Sequence, residues 1–281
     1  MIFVTDKGRM ANNMFQYGHV YAWGREHGRS TMSMRFAYKY PDFRISHSRY
    51  HNAFVYVLAK LAAKLHLLPI VDFTDGQTDA KMAYISSHKH ILLKGWWIRF
   101  PDLFMKYRSE IAACFDFLPK VHEQVAKSMQ PSSADTVKLG VHIRRGDYKT
   151  WCNGRFFFDD AQYIGLISRV AHQLTGKQVD VYICTNDFQL DQEHYRQELS
   201  PVRVYFPQGS PAEDLCLLSK CDYLIGPPSS YTLIASMYHD TPLYWMAGDL
   251  QQVTLESFQR FEHQMRHFDE CFFDPQPSNT K

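Results

Sequence analysis

Two adjacent arginines close a run of alternating apolar residues at Val141-His142-Ile143-Arg144-Arg145-Gly146-Asp147-Tyr148. Side chains alternate between the two faces of an extended segment, so His142 and Arg144 share a face. A guanidinium is a planar fork of donors that matches phosphate oxygens. Two of them at one strand end can neutralise a diphosphate without a metal ion. Gly146 permits a sharp turn or the close approach of a ligand. Taken alone, the pair also fits an exposed basic strand end neutralised by Asp147.

Three further segments carry polar groups where chain direction changes. In Gly226-Pro227-Pro228-Ser229-Ser230-Tyr231-Thr232, prolines stop a strand and serines precede a helix. Free amides at a helix start, with the Ser229 and Ser230 hydroxyls, form either an anion site or an ordinary helix cap. Cys184-Thr185-Asn186-Asp187 follows another apolar run. Asn186 and Asp187 there suit contact with a ribose, base or sugar, or an Asx-type turn. Gly8 to Tyr17 contains Asn12 and Asn13 in a loop that opens a helix, whose Met14, Phe15 and Tyr17 are expected to pack inward. Trp96 and Trp97 follow Gly95 and suit a platform for a sugar ring or a place in the core.

Several chemistries are excluded. No Asp-x-Asp, GxxxxGK[ST], GxSxG or HExxH occurs in the 281 residues. The usual carboxylate clamp for a divalent ion, the phosphate loop and the serine elbow are therefore missing. No metal and no cofactor is expected. A formal net charge of +2 lacks the basic excess of a nucleic-acid binder. Six scattered cysteines form no CxxC pair and read as free thiols of a reducing compartment. Met1 to Thr5 lacks a basic leader and reads as a strand, so a cytoplasmic location is expected.

The elements that must position these groups alternate between strand and helix. Strands are expected at Ile2 to Thr5, Val137 to Ile143, Val179 to Cys184, Arg203 to Phe206, Tyr223 to Gly226 and Leu243 to Trp245. Helices are expected from Asn12 or Asn13 to His27, over Asp159 to Leu174, over Ala212 to Cys221, and from Thr232; Lys7 to Arg9 form the first turn. A Pro/Ser break at Met129 to Asp135 separates two halves, 1–130 and 136–281. The expected fold is α/β, two Rossmann-like domains facing a central cleft, with ligands at the carboxyl ends of the strands. Between Ala53 and Phe73 an apolar stretch is broken by Lys60, Lys64, His66 and Asp72. Phe54, Leu58, Leu61 and Leu65 recur at helical spacing. The expectation is a helix packed into the core, with docking on a membrane surface as the alternative.

These motifs resemble those of the bacterial alpha-1,2-fucosyltransferases, glycosyltransferase family 11. Gly8 to Tyr17 is similar to the family's G-N-Q-M-F-Q-Y segment, and His142 to Tyr148 to its H-x-R-R-G-D-Y segment. Thr185-Asn186-Asp187 resembles its second short motif. Glu213-Asp214-Leu215 through Ser219-Lys220-Cys221, followed by Ser229-Ser230, resembles its third. The order matches from Met1 to Ala247. Departures are Ala11-Asn12-Asn13 in place of G-N-Q, the missing aromatic pair after Ser230, and Lys94-Gly95-Trp96-Trp97-Ile98-Arg99 without the usual following Q-S-E. They bear on acceptor and linkage more than on donor.

The resemblance implies a GT-B fold, GDP-fucose as donor, inversion at the anomeric carbon and no required metal. It implies the donor on the C-terminal half and the acceptor on the N-terminal half. The expected catalytic residues are Arg144 and Asp147. The expected donor-binding set is His142, Arg144, Arg145, Asn186, Asp187, Ser229, Ser230, Asn12 and Asn13, and the acceptor set is Trp96 and Trp97. Asp147 ranks first as general base, ahead of Asp187, Glu213 and Asp214. The acceptor is expected to be an oligosaccharide or lipid-linked glycan of a surface polysaccharide, through alpha-1,2 linkage to galactose, with peripheral contact at the inner membrane. Two alternatives remain: transfer of a different nucleotide sugar, and a non-catalytic sugar-nucleotide or glycan-binding protein.

Overall fold

Nine strands form two wholly parallel sheets in the computed structural model, which describes residues 1–5, 8–131 and 133–273. Lys7 of the expected first turn and Ser132 of the expected linker lie outside the described residues. The chain divides into two units, Met1–His122 and Glu123–Lys281.

In the first unit the strands are β1 (Ile2–Thr5), β2 (Thr31–Ser33), β3 (Ile70–Asp72) and β4 (Ile91–Lys94), ordered β2-β1-β4-β3. The helices are α1 (Met10–Glu26), α2 (Ala53–Lys64), α3 (Asp79–Ser87), α4 (Pro101–Lys106) and α5 (Arg108–Cys114). A sixth, α6 (Pro119–Ser128), contains the division between the units. Most of α1 is buried, including Asn13, Gln16 and His19. Such a helix needs apolar neighbours on all sides. Phe15 and Phe104 supply them, each 4.8 Å edge-on to the His19 ring.

The second unit is ordered β7-β6-β5-β8-β9, from β5 (Thr136–Ile143), β6 (Gln178–Thr185), β7 (Arg203–Tyr205), β8 (Tyr223–Gly226) and β9 (Leu243–Trp245). Its helices are α7 (Asp160–Gln173), α8 (Gln192–Glu198), α9 (Pro211–Ser219), α10 (Ser230–His239), α11 (Phe261–Arg266) and α12 (Glu270–Phe273). Leu139, Val141 and Ile143 of β5 and Val179, Val181 and Ile183 of β6 point to one face, where Tyr163, Ile167 and Val170 of α7 cover them. Reciprocal caps fix two helix starts. Asp159 and Gln162 exchange side-chain and backbone bonds of 2.8 and 2.9 Å, and Ser210 and Glu213 do the same before α9. In both sheets the strand order reverses beside the first strand, between β1 and β4 and between β5 and β8. Loops leaving the carboxyl ends of those strands flank the crevice where open α/β sheets take ligands.

The expected core packing of the apolar residues of α2 is reversed. The helix lies on the sheet through Ala59, with Val55, Tyr56, Ala62 and Ala63 against Phe3, Met32 and Leu92. Phe54, Leu58, Leu61 and Leu65 are exposed. Alanines make up most of the side that meets the sheet, and Phe54, Leu58, Leu61 and Leu65 are turned outward. All six cysteines are free thiols. No described helix is long and apolar enough to cross a membrane.

Buried His51 ties the segment before α2 to β2. The backbone N–H of Ser33 donates to its Nε2 at 3.0 Å, which leaves Nδ1 to donate to Ser48 Oγ at 2.8 Å. Burial pushes His51 down to about 4. Its stabilisation is complete above the unfolded value near 6.5 and is lost as pH falls toward 4. His51→Ala orphans a buried amide and costs about 2 kcal/mol at pH 7.5. Urea titrations at pH 7.5 and 5 should show that cost shrinking at the lower pH.

Candidate active site

β5 delivers its two arginines into the crevice of the second sheet. Directly after the strand, Arg145 accepts a clasp from the next loop. Its backbone N–H donates to Asn186 Oδ1 at 2.8 Å, and Asn186 Nδ2 donates back to the Arg145 carbonyl at 3.4 Å. Gly146 then adopts φ +68°, a left-handed turn that a side chain resists. On the other flank, the Tyr148 hydroxyl donates to the Pro228 carbonyl at 2.9 Å and ties the turn to the loop after β8. Gly226 lets β8 and β5 approach there, since a Cβ would lie 3.1 Å from the His142 carbonyl oxygen.

The guanidinium groups are aimed by different partners. Arg144 donates to both oxygens of Asp147, at 3.1 and 2.8 Å, and lies 5.2 Å over the Tyr148 ring. Arg145 pairs with Asp160, the first residue of α7, which also accepts from the Tyr195 hydroxyl at 2.8 Å. The Arg145 guanidinium lies 5.1 Å over Phe157. Both side chains are largely covered, at 15% and 12% exposure, so little rotamer freedom remains to be lost on binding an anion. A cavity of about 500 Å³ opens beside Arg145, lined also by Gly146, Lys149, Asn186, Asp187 and the fully exposed Phe188.

His142, two residues before Arg144, is buried, and its ring lies 4.7 Å from that of Tyr231. Burial, then the Arg144 charge, pushes it down to about 3, so the imidazole is neutral at physiological pH. Its Nδ1 has no hydrogen-bond partner. Ser229 caps α10 by accepting from the Thr232 N–H at 3.3 Å, and Ser230 is buried beside it. Asp187 accepts from the Gln189 N–H at 3.0 Å. Thus His142, Arg144, Arg145, Asp147, Asn186, Asp187, Ser229 and Ser230 all sit at carboxyl ends of strands of one sheet.

The other four residues singled out in the sequence belong to the first unit and flank its own crevice. Asn12 and Asn13 stand in the first turn of α1, after β1; Asn13 is buried and donates from Nδ2 to the Tyr40 hydroxyl at 3.1 Å. Trp96 and Trp97 follow β4, half-buried and 6.4 Å apart. Arg99 lies between aromatic faces, 4.7 Å from the Trp96 centroid, 5.7 Å from that of Trp97 and 4.8 Å from that of Phe15. A second cavity, of about 710 Å³, lies in this unit and is lined by Tyr17, Arg25, Arg44 and His51 rather than by these four.

Sequence reasoning missed Asp160, Tyr148 and Tyr195. Asp160 opens α7 immediately after its capping residue and reads as helix-start chemistry alone. Asp214, placed behind Asp147 among the candidate bases, has a displaced carboxyl. Burial, then the neighbouring Glu213 charge, pushes this carboxyl up to about 7. Its folded value exceeds the unfolded one near 3.8, so stability is lost as pH rises from about 4 to about 7. Asp214→Asn should therefore be more stable than the parent chain at pH 8, by at most about 4 kcal/mol. Paired urea titrations at pH 8 and pH 5 should show the advantage diminishing at the lower pH.

The same architecture is found in solved fucosyltransferases. An Arabidopsis thaliana FUT1 mutant in complex with GDP superposes with TM-score 0.58 at 11% identity, over 92% of this chain and 73% of that one. POFUT1 in complex with GDP-fucose gives TM-score 0.56 at 12% identity, over 88% and 97%. The alpha-1,6-fucosyltransferase NodZ, soaked with GDP-fucose, gives 0.51 at 13%, over 86% and 94%. At these identities the likeness shows the fold, a GT-B-type pair of Rossmann-like units. No curated protein matches in sequence. The model of the glycosyl transferase family 11 matches residues 1–239, which include every site residue discussed above. With that match covering β1 to β8 and the arginine turn, the chain belongs to glycosyl transferase family 11 and is a glycosyltransferase.

Proposed function

We propose that the chain transfers L-fucose from GDP-fucose to a glycan hydroxyl, with inversion and without a required metal ion. The observation that carries this reading is the arginine turn after β5, where two restrained guanidinium groups stand beside the α10 start at a sheet switch point. The nucleotides bound by the structurally similar fucosyltransferases support the choice of donor. The motif departures leave alpha-1,2 linkage to galactose in a surface polysaccharide as the family-based reading of the acceptor. Its carrier would be an oligosaccharide or a lipid-linked glycan.

In this mechanism the acceptor oxygen attacks the anomeric carbon from the face opposite the nucleotide. The new carbon–oxygen bond forms as the bond to the β-phosphate oxygen breaks, and GDP departs with that electron pair. Arg144 and Arg145 meet the charge growing on the leaving phosphate, helped by the Ser229 and Ser230 hydroxyls and the α10 amides. His142, neutral and buried beneath Arg144, supports the pocket without adding charge. Asn186 holds the turn, and Asp187 faces the cavity in which a nucleoside moiety would lie. Asp147 orients Arg144 through its two-point contact, and the hydroxyl proton passes to a carboxylate of the assembled site. The acceptor is assigned to the first unit, with Trp96 and Trp97 as ring platforms, while Asn13, buried against the Tyr40 hydroxyl, serves the first turn of α1 rather than a ligand.

Purified protein should hydrolyse or transfer from GDP-fucose in excess EDTA, in preference to GDP-mannose and UDP-sugars. Arg144→Ala should lower kcat by about 10²- to 10³-fold. Turnover of another donor instead would overturn the choice of sugar. Binding of nucleotide with no turnover on any acceptor would leave a binding protein.

A further inference from the structure

The outward face of α2 has a composition that neither of the sheets nor the sugar chemistry explains. At 100° per residue, Val57, Leu61, Phe54, Leu65 and Leu58 fall within an arc of about 100°. Their exposures are 56, 50, 72, 56 and 50%, and Leu67 just beyond the helix is 75% exposed. The opposite arc, Ala59 with Ala62 and Ala63, is the one that meets the sheet. Lys60 and Lys64 border the apolar arc on one side, and both are exposed. Among the described residues, this is where exposed large apolar side chains concentrate: seven of the eleven lie between Phe54 and Ile70.

Charge identifies the occupant. From Phe43 through Val71 there is no Asp or Glu, while Arg44, Arg49, Lys60 and Lys64 fall in this segment. Arg44 and Arg49, immediately upstream of the helix, are also exposed. A symmetric contact between two copies would bring Lys60 and Lys64 toward their own images, a like-charge cost. An anionic bilayer offers both complements at once, lipid phosphates for the cations and an acyl boundary for the leucines.

We infer that α2 is an interfacial helix that seats the protein on an anionic phospholipid surface. Phe54, Leu58, Leu61 and Leu65 enter the headgroup–acyl boundary, and Lys60 and Lys64 meet the phosphates. The inference is independent of the donor's identity.

The test is co-sedimentation of the full chain with vesicles of phosphatidylcholine alone or of an equal mixture with phosphatidylglycerol. Analytical ultracentrifugation without lipid runs in parallel. The parent chain should prefer the anionic vesicles by about tenfold or more, and high salt should weaken that preference. Lys60→Glu with Lys64→Glu should abolish the preference. Leu58→Ser with Leu61→Ser should lower binding by about tenfold, while turnover of a water-soluble donor and acceptor is retained in both variants. All four positions are exposed, and an unchanged thermal midpoint verifies folding. Equal binding to both vesicle types, or binding that neither variant alters, would overturn the inference. So would a stable dimer that the serine variant dissociates and that no vesicle captures. Loss of donor turnover in the parent chain would count against the proposed reaction and leave this result standing.

Discussion

The carboxamide of Asn186 grips both backbone groups of Arg145, and the geometry of the proposed donor site follows from that grip. It fixes the chain where β5 stops being a strand, with Gly146 free to turn immediately afterwards. Arg144 and Arg145 then diverge toward different carboxylates, Asp147 in the turn itself and Asp160 at the start of α7. Two cations so close together repel each other. Their separate counter-charges hold the pair in the absence of ligand. A diphosphate would meet guanidinium groups already restrained and partly desolvated, so ordering them costs little.

Electrostatic restraint extends below the turn. His142 shares a face with Arg144, and a second positive charge there would oppose the first. Burial keeps its ring neutral, so the cationic charge stays on the arginines at the rim. The Tyr148–Pro228 bond couples the turn to the cap of α10, bringing together the groups suited to one anion. In the first unit the same topology places Asn12, Asn13, Trp96 and Trp97 around the other reversal of strand order.

Most of the second unit was legible in the sequence because β5 and β6 are long enough for alternation to emerge and aspartate, serine or proline marks the starts of α7, α9 and α10. The Arg144-Arg145-Gly146 sequence already implied a charged turn at a strand end. Less of the first unit could be read: β2 and β3 are three residues each, too short for periodicity. The spacing of α2 was recognised, but periodicity cannot say which face meets the sheet, and it is the side of Ala59, Ala62 and Ala63 that does. The pairing of Arg145 with Asp160 and the tie from Tyr148 to Pro228 depend on tertiary contact, which neither residue advertises in the sequence.

The central claim is that the arginine turn is a diphosphate site. Calorimetric titration of GDP and guanosine into the parent chain and into Arg145→Ala tests it most directly. The account predicts that GDP binds at least tenfold more tightly than guanosine, and that Arg145→Ala removes most of that difference while guanosine binding is unchanged. Equal affinities for the two ligands, or a GDP affinity indifferent to Arg145, would contradict it.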